Sequence, residues 1–183
     1  MINKIKKKYE NGELFKFILW KIGLLNILRI LTIMKLKIYD SFFKFLLNIY
    51  KKNSKKYIEI KYFYLKNRKS DIYEHMETLC LYAKKCESVF ETGVRGVVSS
   101  WAFAKGLLDN RSNSKKILLN DIEECNTSEF EYHVKNVQID VDTIWKNNLE
   151  INLNQNFDII FIDTWHVYGQ LKRELQKFSQ YSN

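Results

Sequence analysis

The 183-residue chain contains no proline and only six glycines, while Lys, Asn, Ile, Tyr and Phe are abundant. An AT-rich coding sequence produces this pattern, so the net charge of +9 and pI near 9.3 are weak grounds for a nucleic-acid partner. The three cysteines, Cys80, Cys86 and Cys125, form no C-x-x-C pair and leave an odd thiol. Neither a disulfide framework nor a zinc site is suggested by this pattern, and a reducing, cytoplasmic setting is the expectation. Nor is there a long uninterrupted apolar run. Between residues 14 and 49, Lys16, Lys21, Arg29, Lys35, Lys37 and Lys44 cut every stretch. A spanning helix needs about 20 apolar residues, and each central charge costs roughly 2.5–3.5 kcal/mol. Lys21 and the lack of a small-residue cleavage site argue against a signal peptide.

What is present is enough apolar material for a folded core. Hydrophobic residues make up 46% and aromatics 15% of the chain, which excludes wholesale disorder. The length suits one domain, or a smaller domain with an extension. Residues 1–69 form the basic, mostly helical extension and linker. Within it, residues 14–49 are expected to form one or two amphipathic helices that pack on the main domain or a partner, or lie peripherally on an anionic membrane. Residues 51–69 combine Lys51, Lys52, Lys55 and Lys56 with Tyr57-Ile-Glu-Ile-Lys-Tyr-Phe-Tyr64. The partial period-two alternation predicts a linker containing a short strand. Basic residues interleaved with aromatics suit single-stranded nucleic acid, but the same codon bias accounts for them, and no specific nucleic acid is expected.

From Ser70 onward the pattern is regular. Ser70 is placed to cap a helix with Ile72, Met76, Leu79, Cys80 and Ala83 at helical spacing. A short apolar run ending at Glu91 leads into a turn through Gly93 and a helix over about 98–108. Ile117–Asp121 reads as a strand, Asn126 with Glu129 opens a further helix, and Val137–Val141 reads as a third strand. After a helical stretch around 144–149, Phe157–Asp163 is the strongest strand signal, with the composition of a buried central strand. The last helix places Val167, Leu171, Leu175 and Phe178 on one face. Strands alternating with helices predict an α/β fold over residues 70–183: a Rossmann-like parallel sheet with flanking helices. Its ligands would bind at the carboxyl ends of the strands.

Glu91, Asp121 and Asp163 end three successive predicted strands and would share that rim. An acid after the second strand suits the two hydroxyls of a ribose, so Asp121 is the candidate for that role; solvation of a loop is the alternative. The turn Glu91-Thr-Gly-Val-Arg-Gly96 lacks the G-x-G-x-x-G that brings backbone to a pyrophosphate, which counts against NAD and FAD. S-adenosylmethionine carries an ammonium and no phosphate. Glu91 could favour that cation directly or through water, while Gly93 keeps the backbone low; a plain strand-to-helix turn is the alternative.

These residues resemble a known family. Glu-x-Gly with a following Ser, an acid closing the second strand and Phe161-Ile-Asp-Thr-Trp-His166 look like class I S-adenosylmethionine-dependent methyltransferases, in particular the catechol O-methyltransferase-like group, over about residues 70–178. The resemblance implies that Glu91, Gly93 and Ser99 hold the methionine part of the cofactor, with Gly96 as second glycine of the turn, one residue earlier than usual. It implies that Asp121 holds the ribose and the region of Asp142 the adenine. It further implies that Asp163 binds magnesium, with His166 in the place of the family's catalytic lysine. A neutral imidazole can accept the acceptor hydroxyl's proton. The plain alternatives are an Asp163 helix cap and a His166 that merely starts a helix.

The resemblance ends before a fifth strand, so the sheet reads as an incomplete methyltransferase sheet. Three expectations follow: O-methylation of a small or sugar-like acceptor, a truncated and non-catalytic remnant, or a membrane-peripheral or nucleic-acid-binding module. An uncovered Phe157–Asp163 strand would leave an apolar edge through which copies could associate.

Overall fold

The computed structural model describes residues 24–183, with side chains from residue 31 onward. The expected helical residues 14–23, with Lys16 and Lys21, lie outside the described residues, as does the side chain of Arg29. The chain divides into two compact units, one ending at Leu46 and the other spanning Leu47–Asn183. In the first lies most of helix α1 (Leu24–Ile49). No helix among the described residues is long and apolar enough to cross a membrane.

The second unit is an α/β fold, a Rossmann-like all-parallel sheet of four strands flanked by helices. The strands are β1 (Ser88–Thr92), β2 (Lys116–Asp121), β3 (Asp140–Trp145) and β4 (Ile159–Ile162), in the spatial order β3-β2-β1-β4. The helices are α2 (Ser54–Lys66), α3 (Met76–Ala83), α4 (Val98–Asp109), α5 (Ser128–Lys135) and α6 (Tyr168–Phe178).

Side chains alternate across β1, and each face acquires its own core. Phe90 packs with Leu118, Ile151, Leu153, Phe157 and Phe178, and the rings of Phe90 and Phe178 meet edge-on at 5.1 Å. Burying one such side chain contributes about 1.5–3 kcal/mol. The α4 side is built from Trp101, Ala102, Phe103, Ala104 and Leu107, all buried. A Cβ at Gly106 would collide with the Cys80 carbonyl, so this glycine lets α4 approach α3 backbone to backbone.

Four expectations are corrected. Tyr57–Tyr64 is helical rather than a linker strand: α2 buries Tyr57, Ile58, Ile60 and Tyr64, and Tyr57 stacks on His133 at 3.6 Å between centroids. The third strand starts at Asp140, three residues later than Val137, because Val137 and Gln138 still close the end of α5 through Val134 and Lys135 carbonyls. Ser70 caps no helix, and its Oγ has no hydrogen-bond partner among the described residues. Finally, α6 buries Glu174 and Phe178 while Val167, Leu171 and Leu175 are exposed. β4 bonds to β1 alone. On its other side only Phe157 is bridged, in parallel, to Ser182.

Candidate functional site

The strand order creates the site. From β1 the chain steps outward to β2 and β3, then returns past β1 to place β4 on the opposite side. Connections leaving β1 and β4 therefore diverge, and a crevice opens at that reversal, where open α/β sheets bind ligands. A cleft of about 850 Å³ lies there, within the range of ligand pockets, about 300–1,000 Å³.

Main-chain contacts set its frame. The Asp163 N–H donates to the Thr92 carbonyl at 2.9 Å and the Gly93 N–H to the Asn120 carbonyl at 2.9 Å. Gly93 has φ +91° and a Cβ there would collide with the Asp163 carbonyl oxygen, so only glycine lets β1 and β4 close this tightly. Gly96 has no such constraint, since an added Cβ would meet only Val98 Cγ2 at 3.7 Å. The left-handed positions of the turn are instead Arg95 (φ 43°) and Val97 (φ 57°). Left-handed backbone is a strained choice for a β-branched residue, and Val97 takes it where the resembled family more often has glycine.

Below the cleft, a polar network joins all four strand ends. Asn120 Nδ2 donates to the carbonyls of Ile144 (2.7 Å) and Lys146 (2.9 Å), and Thr92 Oγ1 donates to Asn120 Oδ1 (2.8 Å). Asn148 Nδ2 donates to Thr92 Oγ1 (3.1 Å) and to Glu174 Oε1 (2.7 Å). Thr164 Oγ1 (2.7 Å) and Gln170 Nε2 (2.9 Å) donate to that same Oε1. The sequence reading missed Thr92, Asn120, Asn148, Thr164, Gln170 and Glu174. The only signal was polar residues sitting where apolar strands and a helix face were expected.

The predicted residues divide into those facing the cleft and those turned away. Asp121 faces it. Its Oδ2 accepts the Arg95 N–H at 2.9 Å and its Oδ1 the Glu123 N–H at 3.3 Å. These two bonds leave acceptor sites on a carboxylate, which has about four. Asp163 and His166 also line it and meet each other, with His166 Nε2 3.2 Å from Asp163 Oδ1. The imidazole is 83% exposed, so this pair contributes little stability and stands free for chemistry.

Glu91 and Ser99 are brought together but away from the cleft. Glu91 is fully buried against α4, accepting one hydrogen bond from the Ser99 hydroxyl and another from the Ser100 hydroxyl at 2.7 Å. Burial pushes its carboxyl up to about 7, reinforced by the nearby charges of Asp163 and Asp121 and opposed by the two serine hydroxyls. Asp142 stands elsewhere. It lies in the middle of β3, paired with Lys116 Nζ at 3.1 Å, and borders a separate hollow of about 510 Å³ rather than the rim.

The cleft is acidic. Asp71, Asp121, Asp163 and Glu174 line it; Arg95, the one guanidinium among the described lining residues, is ion-paired to Asp71. No group of three or more His, Cys, Asp or Glu among the described residues is placed to hold a metal ion. Of the two Asp163 carboxylate oxygens, Oδ1 already meets His166.

The fold and crevice thus define a Rossmann-like α/β protein with an acidic cleft at the β1/β4 reversal. Comparison with models of known protein families finds no match, and none is found among curated proteins.

Proposed function

We propose that the cleft binds S-adenosylmethionine and that the protein transfers its methyl group to a hydroxyl of a small acceptor. The carrying observation is the acidity of a cleft at the strand reversal whose turn lacks the glycine pattern of a pyrophosphate site. With Asp71 ion-paired to Arg95, the remaining acids Asp121, Asp163 and Glu174 disfavour phosphates and favour a cation, and the proposed ligand is a cationic, phosphate-free nucleoside. Asp121 accepts the ribose hydroxyls. When bound, S-adenosylmethionine supplies a methyl group on a positively charged sulfur. His166 would take the proton of the acceptor hydroxyl while the methyl carbon exchanged its bond to sulfur, released as a neutral thioether, for one to the acceptor oxygen, and Asp163 would steady the resulting imidazolium. Trp165, 74% exposed beside this pair, offers a flat apolar wall to an acceptor ring. Calorimetric titration of the folded protein with S-adenosylmethionine tests the reading: micromolar binding, weakened by Asp121→Ala, is expected, and absence of heat would overturn it.

A second reading concerns α1 and complements the first. Leu31, Met34, Ile38, Phe42, Phe45 and Ile49 are all exposed and recur at steps of three and four residues, so they share one stripe of the helix. Lys35, Lys37 and Lys44 lie among them. Basic charge is also concentrated in this part of the chain: residues 1–69 carry 18 Lys and Arg against 4 Asp and Glu, whereas residues 70–183 carry 12 against 17. Codon bias alone would spread it evenly. We propose that α1 lies in the surface of an anionic bilayer. Co-sedimentation should show binding to phosphatidylcholine vesicles containing phosphatidylglycerol, weakening with salt and lost in Phe42→Asp/Phe45→Asp. Equal binding to neutral vesicles would refute it.

A further inference from the structure

Two glutamates are fully buried in the α/β unit, Glu91 and Glu174. Glu91, the acid first assigned to a ligand's cation, has both oxygens engaged by serine hydroxyls. Glu174 is unevenly satisfied: Oε1 accepts three hydrogen bonds, from Asn148, Thr164 and Gln170, while Oε2 has no partner among the described residues. Glu174 also lines the cleft. A buried carboxylate oxygen without a donor bears its desolvation cost uncompensated. Three residues from three different segments hold the side chain in this one orientation through Oε1, and Oε2 is left buried without a donor.

We propose that Glu174 Oε2 is the cleft's seat for the primary ammonium group of its ligand. The inference rests on the reading of the cleft as a site for an adenosine ligand and names the residue that recognises its amino-acid end. Position supports it. Asp121 ends β2, whereas Glu174 is tied to Asn148, which bonds Thr92 at the end of β1, and to Thr164 just past β4. The two acids therefore stand on either side of the Gly93 turn, and a ligand with its ribose on Asp121 extends its other end toward Glu174. An ammonium donates to a carboxylate more strongly than any neutral donor, and Arg95, the cleft's guanidinium, is held by Asp71.

The test compares S-adenosylhomocysteine with 5′-methylthioadenosine by calorimetry. They share adenosine and thioether, and only the first carries the amino-acid end. Glu174→Gln keeps the shape and the triply bonded acceptor while replacing Oε2 with an amide donor. S-adenosylhomocysteine should bind the variant about 10- to 100-fold more weakly, with 5′-methylthioadenosine altered less than about two-fold. Loss of both ligands alike, or of neither, overturns the inference and leaves the adenosine reading intact. Failure of both ligands to bind the wild-type protein overturns the two together. If the variant does not fold, N-acetylated S-adenosylhomocysteine on the wild-type protein replaces it: undiminished binding overturns the inference, and a loss of the same size supports it.

Discussion

The two faces of β1 handle a buried glutamate in opposite ways. On the α4 face, Glu91 is closed off: two serine hydroxyls cover it, solvent does not reach it, and its carboxyl titrates near 7. On the α6 face, Glu174, equally buried, is held through one oxygen and left without a donor among the described residues at the other. Residue type and burial are the same. The number and direction of donors separate an acid that belongs to the scaffold from one that can serve a ligand.

The largest expected effect removes the frame common to both faces. Gly93→Ala forces a Cβ into the Asp163 carbonyl at a left-handed backbone position and should cost more than about 4 kcal/mol, read as a loss of the cooperative urea transition. Next comes the charge state of Glu91. Its pKa is raised from 4.5 to about 7 in the folded protein, so the folded state holds this proton more tightly than the unfolded chain. The stabilisation is complete below about pH 4.5 and lost as pH rises to about 7, a change of about 3 kcal/mol. His133 acts with the opposite sign: burial lowers its pKa, so its contribution is present above about 6.5 and lost on acidification. Glu91→Gln should therefore remove only the decline between pH 4.5 and 7, measured as the difference between variant and wild-type denaturation curves. An unchanged difference across that range would show that Glu91 is not buried as a neutral acid. The smallest effect is on the α6 face. Thr92→Val deprives Asn120 of a donor and Asn148 of an acceptor and should destabilise by about 1–2 kcal/mol, while Thr92→Ser restores most of that.

Much of the sheet was legible because its strands are short apolar runs that end in acids: Val89-Phe90 before Glu91, Ile117–Leu119 before Asn120-Asp121, and Ile159–Ile162 before Asp163. The misreadings have physical sources. In α2, Tyr57, Ile60 and Tyr64 are buried at helical spacing, but β-branched and aromatic residues between them imitate strand alternation. In α6 the apolar stripe looked like the inward face, whereas Gln170, Glu174 and Phe178, spaced by four, face inward. Of the site, Asp121, Asp163 and His166 were readable as rim residues. The orientation of Glu91 was not, since a one-residue difference along β1 decides which face a side chain enters. Glu174 was hidden because its importance lies in bonds to Asn148 and Thr164, residues distant in sequence with no motif of their own.

The junction of β1 and β4 is made by main-chain atoms, the Asp163 N–H on the Thr92 carbonyl and the packing of Gly93 against the Asp163 carbonyl, while the Gly93 N–H on the Asn120 carbonyl ties the same turn to β2. None of these uses the Asp163 or His166 side chain. The support of this rim is therefore independent of the groups it displays. Exchanging those two side chains removes none of these main-chain contacts, although a change at Asp163 also alters the charge felt by Glu91.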